Sequence, residues 1–223
     1  MKMVHPELTV PIINENTFCT EWIIESPHIF TGFVQELYSQ FQGNSGKYVL
    51  SEKDKILDLS KSGEIIINPF AIDINDKKII GKLYNQLKNL AVSEEYYLYT
   101  QEMIQAIYKY VLDLEQKTNH ILYLEKEIDW NGLFKAVGVR HESFDENFIQ
   151  SISRYIKVSC DVFQTKLIVF VNLRSYLSDK EIQEILNDVH YWETHILLIE
   201  NQERCCLKET KRYIIDKDLC EIY

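Results

Sequence analysis

A glycine-containing segment near residue 45 is the first feature whose residue types suit phosphate chemistry. It reads Gly43-Asn44-Ser45-Gly46-Lys47-Tyr48. A phosphate-binding loop has four residues between its glycines, so that successive amides wrap the phosphate, and a hydroxyl residue after the lysine for magnesium. Here the spacing is two, a tyrosine follows the lysine, and the segment follows a predicted helix instead of a strand. The pattern therefore predicts a plain turn.

Lysine side chains are concentrated where they could share one face and contact phosphates. Residues 76–92 carry four lysines and one acid, a net charge of 4 − 1 = +3, whereas residues 93–129 carry three lysines and eight acids, a net charge of 3 − 8 = −5. Ordinary solubilising charge explains most single lysines, but a cluster would bind a nucleic-acid backbone. No base-reading motif accompanies the cluster, so we expect contact that is independent of base sequence. The lysines predicted to contact DNA are Lys53, Lys55, Lys61, Lys77, Lys78, Lys82 and Lys135.

Acidic residues surround the stretch between two predicted helices and raise the question of a metal site. Hard cations such as Ca²⁺ gather carboxylate oxygens, although the spacing here is not that of an EF-hand loop. A solvated acidic face is the simpler interpretation, and both remain open. The candidate ligands are Glu115, Glu125, Glu127 and Asp129.

Conventional catalytic groupings are missing from the sequence. His190 and His195, with Glu193 between them, are five residues apart, whereas two ligands on one helical face need a spacing of three or four. We therefore expect surface or capping histidines. No Ser/His/Asp or Cys/His grouping has the local context of a nucleophile.

Composition bounds the class of protein. The chain has 223 residues, a net charge of −10 and 46% hydrophobic residues, which favours a folded domain with a real core. There is no apolar run of about 18 residues, so no membrane partner is expected. Five cysteines in an unpatterned set indicate free thiols and a cytoplasmic location.

Two apolar runs and the helix between them predict an α/β core. Residues 166–172 and 195–200 are short, nearly unbroken apolar runs, which are typical of strands buried on both faces of a parallel sheet. Ser178 and Glu181 form a capping box for the helix between them. The first strand ends in Asn172, where a P-loop nucleotide hydrolase has a magnesium-binding Asp. The core thus resembles a hydrolase scaffold without the hydrolase chemistry.

Further elements follow from apolar periodicity. Strands are expected at 8–13, 17–24 and 64–67, with a terminal hairpin across residues 216–218. Ser26-Pro27 begins one helix, and others are expected from Asp76, from Ser93 to Leu114, over 129–137 and over 145–163. The helices within 76–138 look like an insertion in the α/β core.

The order of these features resembles the Csn-two family, the adaptation protein of type II-A CRISPR systems. The resemblance is carried by a lysine-bearing loop with Lys53 and Lys55, by Asp73-Ile74-Asn75 before the basic helix, by residues 133–139, and by the two buried strands with their capped helix. It implies a degenerate P-loop-ATPase-like α/β head with a mainly parallel sheet over 1–75 and 139–223, and an inserted α-helical leg over 76–138.

The resemblance also implies a function. Family members form a toroidal homotetramer that threads double-stranded DNA ends through a lysine-lined hole, with calcium supporting assembly. The resemblance implies no bound nucleotide and neither nuclease nor nucleotide hydrolase activity. They act in spacer acquisition beside the CRISPR integrase proteins and the type II effector nuclease. Glu115 and Glu127 match family acids, but residues 117–124 lack the acids of relatives. A divergent nucleotide hydrolase or nuclease using acids near Glu125 and Glu200, and an interaction scaffold without DNA contact, are the alternatives.

Overall fold

The fold is known from a computed structural model that describes residues 1–14, 17–53, 55–142, 147–189, 191–192 and 194–223. The chain divides into two compact units. Unit 1 combines Met1–Asp73 with Phe144–Tyr223, and unit 2 is Ile74–Ser143. The helical insertion predicted at 76–138 falls within unit 2.

Strands occur only in unit 1 among the described residues. In chain order they are β1 Lys2–Val4, β2 Cys19–Ile24, β3 Val49–Glu52, β4 Lys55–Leu57, β5 Gly63–Ile66, β6 Leu167–Val171, β7 His195–Glu200, β8 Lys211–Ile215 and β9 Glu221–Ile222.

Helices occur in both units. They are α1 Pro27–Phe41, α2 Leu59–Ser62, α3 Lys77–Ala91, α4 Tyr97–Glu115, α5 Trp130–Val137, α6 Phe148–Phe163 and α7 Asp179–Val189, with 3-10 turns at Pro69–Ala71 and Leu173–Ser175. No helix in the described ranges combines the length and apolar character that crossing a bilayer requires.

A six-stranded sheet organises unit 1. Its order is β5-β6-β7-β2-β8-β9, and all neighbouring pairs are parallel except β8 with β9. The predicted α/β class and mainly parallel sheet are confirmed, as is the parallel pairing of β6 with β7. A second sheet, β1-β3-β4, is antiparallel.

The large sheet is buried on both faces, which explains why its strands are continuous apolar runs. Alternate residues of each strand enter two different cores. One core packs the sheet against α1 and contains Trp22, Val169 and Leu197. The other packs it against α6 and α7 and contains Phe170 and Leu198.

Several boundaries differ from those expected. Residues 8–13 form no strand and contribute only a bridge from Ile13 to Met3. Of the lysine-bearing loop, Lys53 lies in the β3–β4 turn but Lys55 begins β4, which is followed by α2. Helix α4 begins at Tyr97, not at Ser93, because the Ser93 hydroxyl donates to the Leu90 carbonyl (2.7 Å) and ends α3 instead. Helix α6 begins after Asn147 in a capping box with Gln150, and its expected start at Asp145 lies outside the described residues.

Unit 2 consists of α3, α4 and α5. The Asp76 side chain accepts from the Ile79 N–H (2.8 Å) and begins α3, while α5 ends at Gly138 in the left-handed conformation. Tyr84 of α3 contacts the Phe134 ring of α5, with centroids 5.5 Å apart. Helices α3 and α5 therefore pack through their apolar sides and leave their polar sides to solvent.

Candidate nucleic-acid interface

The predicted DNA-binding lysines of unit 1 are exposed and lie close together in sequence. Lys53 occupies the β3–β4 turn with φ 48°, and Lys55 is the first residue of β4, paired in register with Glu52. Lys61 on α2 is 82% exposed, with its Nζ 3.6 Å from the Asp58 carboxylate. Exposed ion pairs of this kind are weak, so Lys61 remains able to contact another anion.

Helix α3 presents a basic face in unit 2. At 3.6 residues per turn, Ile79 and Leu83 lie on the packed side, while Lys78 and Lys82 lie together on the opposite side. Lys77, Lys78, Lys82 and Lys88 are all exposed. The helix contains no acidic residue, and the Asp76 carboxylate before it is held by the Ile79 N–H. The local charge is therefore uniformly positive along 15 residues.

Lys135 belongs to the same unit. It is exposed in the last turn of α5, next to Phe134, whose ring contacts α3. The structure thus places three predicted lysines in unit 1 and four in unit 2.

The predicted calcium ligands are not gathered by the structure. Glu115 ends α4 and accepts from the Leu122 N–H (2.8 Å), while Asp129 precedes α5. Glu125 and Glu127 lie in the segment between these helices, where the Glu125 carbonyl accepts from the Tyr108 hydroxyl (2.7 Å). In the part of the chain that the structure describes, no three His, Cys, Asp or Glu side chains are placed to hold a metal ion. The calcium ligands therefore remain a prediction, and the one carboxylate of the four with a described backbone partner is that of Glu115.

A nucleotide would bind a fold of this type at the carboxyl ends of the parallel strands. A phosphate-binding loop there joins a strand to the next helix and depends on glycines. The connection from β2 to α1 is only Glu25 and Ser26, followed by Pro27. It therefore contains no glycine, and the proline supplies no backbone N–H to bind a phosphate. The Gly43–Gly46 segment forms the predicted turn after α1, with φ +88° at Gly43. The described backbone therefore offers no phosphate cradle at β2 or at this turn.

Arg174 places a buried guanidinium group, paired with carboxylates of the protein, at the carboxyl edge of the sheet. Its side chain is fully buried and donates to the Glu21 carboxylate of β2, to Asp179 (2.6 Å) and to the Cys205 carbonyl (2.8 Å). Its backbone N–H donates to Glu200 at the end of β7 (3.0 Å). One residue thus connects β2, β7, α7 and the segment after β7.

Arg212 completes this buried network. It lies beside Glu21 in the β2–β8 register, and its Nε donates to the Glu21 carboxylate at 2.8 Å. Its Nη atoms contact Glu203 (2.9 Å) and the Arg204 carbonyl (2.8 Å). Glu21 therefore receives both guanidinium groups, which compensates for the burial of its charge.

Glu200 is the least compensated member of the network. Its side chain is 0% exposed, and burial raises its pKa to about 7 against the lowering effect of the Arg174 N–H. A carboxyl group with this pKa can titrate near neutrality, but it faces Arg174 and not a cavity that could hold a substrate.

Asn172 occupies the position that suggested a lost magnesium ligand. It has φ 56° and donates its N–H to the Ile199 carbonyl (2.8 Å), so it makes the turn from β6 toward Arg174. Asparagine adopts this left-handed conformation more readily than most residues. Sequence reasoning identified Asn172 but missed Arg174, although the signal was present: Glu21 interrupts an apolar strand and needs a buried cation.

His195 corrects the expectation of a surface histidine. It is buried in β7, its Nε2 lies 3.0 Å from the Thr20 hydroxyl, and burial lowers its pKa to about 4. It is therefore a neutral core histidine, because β7 begins at His195 itself and every residue of this strand is buried. His190 and Glu193 lie outside the described residues.

Comparison with known proteins identifies the class of protein. The family model described as CRISPR-associated protein (Cas_Csn2) matches residues 40–219. This chain therefore belongs to the Csn2 family of CRISPR-associated proteins, as the order of sequence features indicated.

Relatives of full length agree with the family match. A protein of Streptococcus agalactiae named CRISPR-associated protein Csn2 is 22% identical over 218 residues, which are 98% of this chain and 96% of that protein. A protein of Enterococcus faecalis with the same name is 19% identical over 206 residues, 92% of this chain and 90% of its own length.

Proposed function

We propose that this chain is a non-catalytic protein that binds double-stranded DNA ends, independently of base sequence, during CRISPR spacer acquisition in adaptive antiviral defence. The observation that carries the proposal is the acid-free basic face of α3, in a chain whose net charge is −10. A uniformly basic surface on an acidic protein is suited to phosphates, and lysines without a base-reading element contact the backbone alone.

The proposal that the protein is non-catalytic rests on the residues that occupy the carboxyl edge of the sheet. In a nucleotide hydrolase this edge binds phosphates and magnesium, whereas here Arg174 and its partners occupy it. We infer that the head is a P-loop-ATPase-like scaffold that keeps the sheet and has lost nucleotide binding. The cytoplasm, where new spacers are inserted, is the corresponding location.

Ring closure explains how an acidic protein would retain DNA. Four copies of the 26.5 kDa chain give 4 × 26.5 = 106 kDa, and a closed ring holds a threaded duplex by topology as well as by charge. Lys55 and Lys82 are proposed to line the hole. The CRISPR integrase proteins and the type II effector nuclease are the proposed partners. We propose that calcium takes ligands from more than one copy, because the described residues of one chain gather no group of three.

The experiment compares a linear duplex with a closed circle of the same sequence in a gel-shift competition. We expect the linear duplex to be retained and the circle to compete poorly, because a ring loads only at ends. Equal affinity for the circle would contradict end loading. Phosphate release from ATP, or nicking of either DNA, abolished by Glu200→Gln would favour the hydrolase or nuclease alternative.

Solution mass tests assembly separately. We expect a species near 106 kDa by light scattering with calcium present. A 26.5 kDa species in every buffer would contradict the ring. In the gel-shift experiment, failure to retain any DNA at low salt would favour the interaction scaffold without DNA contact.

A further inference from the structure

Unit 2 contains a cavity of about 360 Å³ that lies among α3, α4 and the segment leading into α5. Its volume is in the range of about 300–1,000 Å³ that is typical of small-molecule sites. Its lining includes two aromatic side chains and three charged ones, namely Tyr97, Trp130, Lys88, Lys126 and Glu127. None of these charged groups takes part in the buried network of unit 1.

The lining combines the two chemistries that bind a nucleotide. Aromatic faces stack on bases, and lysine ammonium groups bind phosphate as compact point charges. Trp130 is supported from behind by Phe134, with ring centroids 5.8 Å apart, while Tyr97 is 53% exposed. Stacking surfaces are therefore available, and at least one of them is held in place by packing.

The charge of the lining is positive but mixed. Lys88 and Lys126 against Glu127 give a net charge of 2 − 1 = +1. A carboxylate accepts hydrogen bonds from the amino and imino groups of a base, as it does from cytosine N4. Glu127, which the sequence suggested as a calcium ligand, thus lies where it would contact a base edge.

One lysine of α3, Lys88, lines the cavity. Lys88 and Lys77 are eleven residues apart, which is three full helical turns plus about 20°, so both lie on the same side of the helix. Their separation along the axis is about 16 Å, or roughly five steps of a DNA strand at 3.4 Å each. A strand whose phosphates follow α3 from Lys77 would therefore bring its end to Lys88 and the cavity.

We infer that this cavity binds the unpaired terminal nucleotide of a DNA end. The base lies against the Tyr97 and Trp130 rings, and its phosphate contacts Lys88 and Lys126. A single base with its phosphate suits the volume better than a base pair, which carries two bases. This inference rests on the proposed DNA-end binding and names the chemical form of the end that is recognised.

Tryptophan fluorescence offers a direct readout because the chain has only three tryptophans. Trp22 and Trp192 both belong to unit 1, where Trp22 is 0% exposed, whereas Trp130 belongs to unit 2. We expect a duplex with short unpaired ends to quench the fluorescence of the full-length protein, and the blunt duplex of the same sequence to quench it much less. The quench should disappear in Trp130→Phe and persist in the matched control Trp192→Phe.

Affinity provides the second measurement. Trp130→Ala should weaken binding of the duplex with unpaired ends roughly tenfold, the loss expected for one base–aromatic stack, and leave blunt-duplex binding unchanged. Lys126→Gln, an exposed change that keeps the ring and the packing, should also weaken only the duplex with unpaired ends. A circular dichroism spectrum like that of the parent shows that each variant is folded.

The outcomes separate this inference from the proposed function. Retention of both duplexes with equal affinity and no Trp130-dependent quench overturns the nucleotide site and leaves end binding intact. Retention of neither duplex overturns the proposed function and the site with it. A Trp130 signal that changes with protein dilution but not with DNA assigns the cavity to a second copy of the chain and also overturns the inference.

Discussion

Arg174 donates from its guanidinium to the carboxylate of Glu21 inside the large sheet, and neither side chain is more than 1% exposed. Glu21 is in β2 and Arg174 follows β6, so the pair connects two strands that are separated by β7. Desolvating both charges is costly, and removal of one partner leaves the other buried without compensation. The pair therefore ties together β2 and β6 near the carboxyl edge of the sheet, the edge at which open α/β sheets commonly bind ligands.

Removal of Arg174 should destabilise unit 1. We expect Arg174→Met to lower the free energy of unfolding by about 3 kcal/mol, at the lower end for a broken buried pair because Arg212 still contacts Glu21. Urea unfolding followed by circular dichroism measures this. The exposed control Lys208→Met should change stability by less than about 0.5 kcal/mol. Equal stability of the two variants would contradict the assigned role of Arg174.

Glu200 should make stability depend on pH. Its pKa is about 7 in the folded protein and about 4.5 when unfolded, so the folded state binds the proton more tightly. Its contribution is complete below pH 4.5 and is lost as the pH rises through 7, a difference of roughly 3 kcal/mol.

The measurement is the difference in unfolding free energy between the parent and Glu200→Gln across this pH range. We expect the parent to lose stability relative to the variant as the pH rises. The comparison cancels the opposite contribution of His195, whose lowered pKa of about 4 removes stability as the pH falls from 6.5. A difference that is independent of pH would show that Glu200 is not a buried titrating group.

A glycine contact should set the spacing of β5 and β6. A Cβ at Gly63 would lie 2.6 Å from the Leu167 carbonyl oxygen, a backbone atom fixed by the sheet. We expect Gly63→Ala to destabilise the protein by about 1–3 kcal/mol through this overlap. Gly32→Ala is the matched control, because Gly32 lies within α1 with nothing within 4 Å and alanine there should stabilise by about 0.5–1 kcal/mol. Thermal unfolding that gives both changes the same sign would contradict the described packing.

Lys55 of β4 and Lys82 of α3 should contribute to the salt dependence of DNA binding. Lys55→Glu with Lys82→Glu should lower affinity for a linear duplex and reduce the slope of log affinity against log salt by about 0.9 for each lost phosphate contact. Lys217→Glu, an exposed lysine in the β8–β9 turn, should leave the slope unchanged. Fluorescence anisotropy at several salt concentrations measures both. An unchanged slope in the double variant would mean that other cations contact DNA.

The sequence predicted the elements that depend on residues close together in the chain, such as a capped helix or a continuous apolar strand. The Ser178–Glu181 capping box is present, with Ser178 N–H donating to Glu181 (2.6 Å) and Glu181 N–H donating to Ser178 (3.4 Å). The apolar runs of β6 and β7 became buried parallel strands because a sheet covered on both faces needs apolar residues at every position.

Features that depend on distant residues were not predictable in the same way. Strands β1, β3 and β4 are short and mixed in polarity, and their sheet is completed only when β1 pairs with β3 across some 45 residues. Arg174 lies 153 positions from Glu21, so its role emerges only when the sheet brings them together. The basic face of α3, in contrast, depends on helical periodicity alone and could be predicted.

Blocking the ends of a duplex tests the central claim most directly. A linear duplex is biotinylated at both ends, and binding is measured by gel shift with and without streptavidin added before the protein. Our account predicts strong retention of the open duplex and near-complete loss once both ends are blocked. Equal retention of open and blocked duplexes would show that the protein binds the sides of DNA and not its ends.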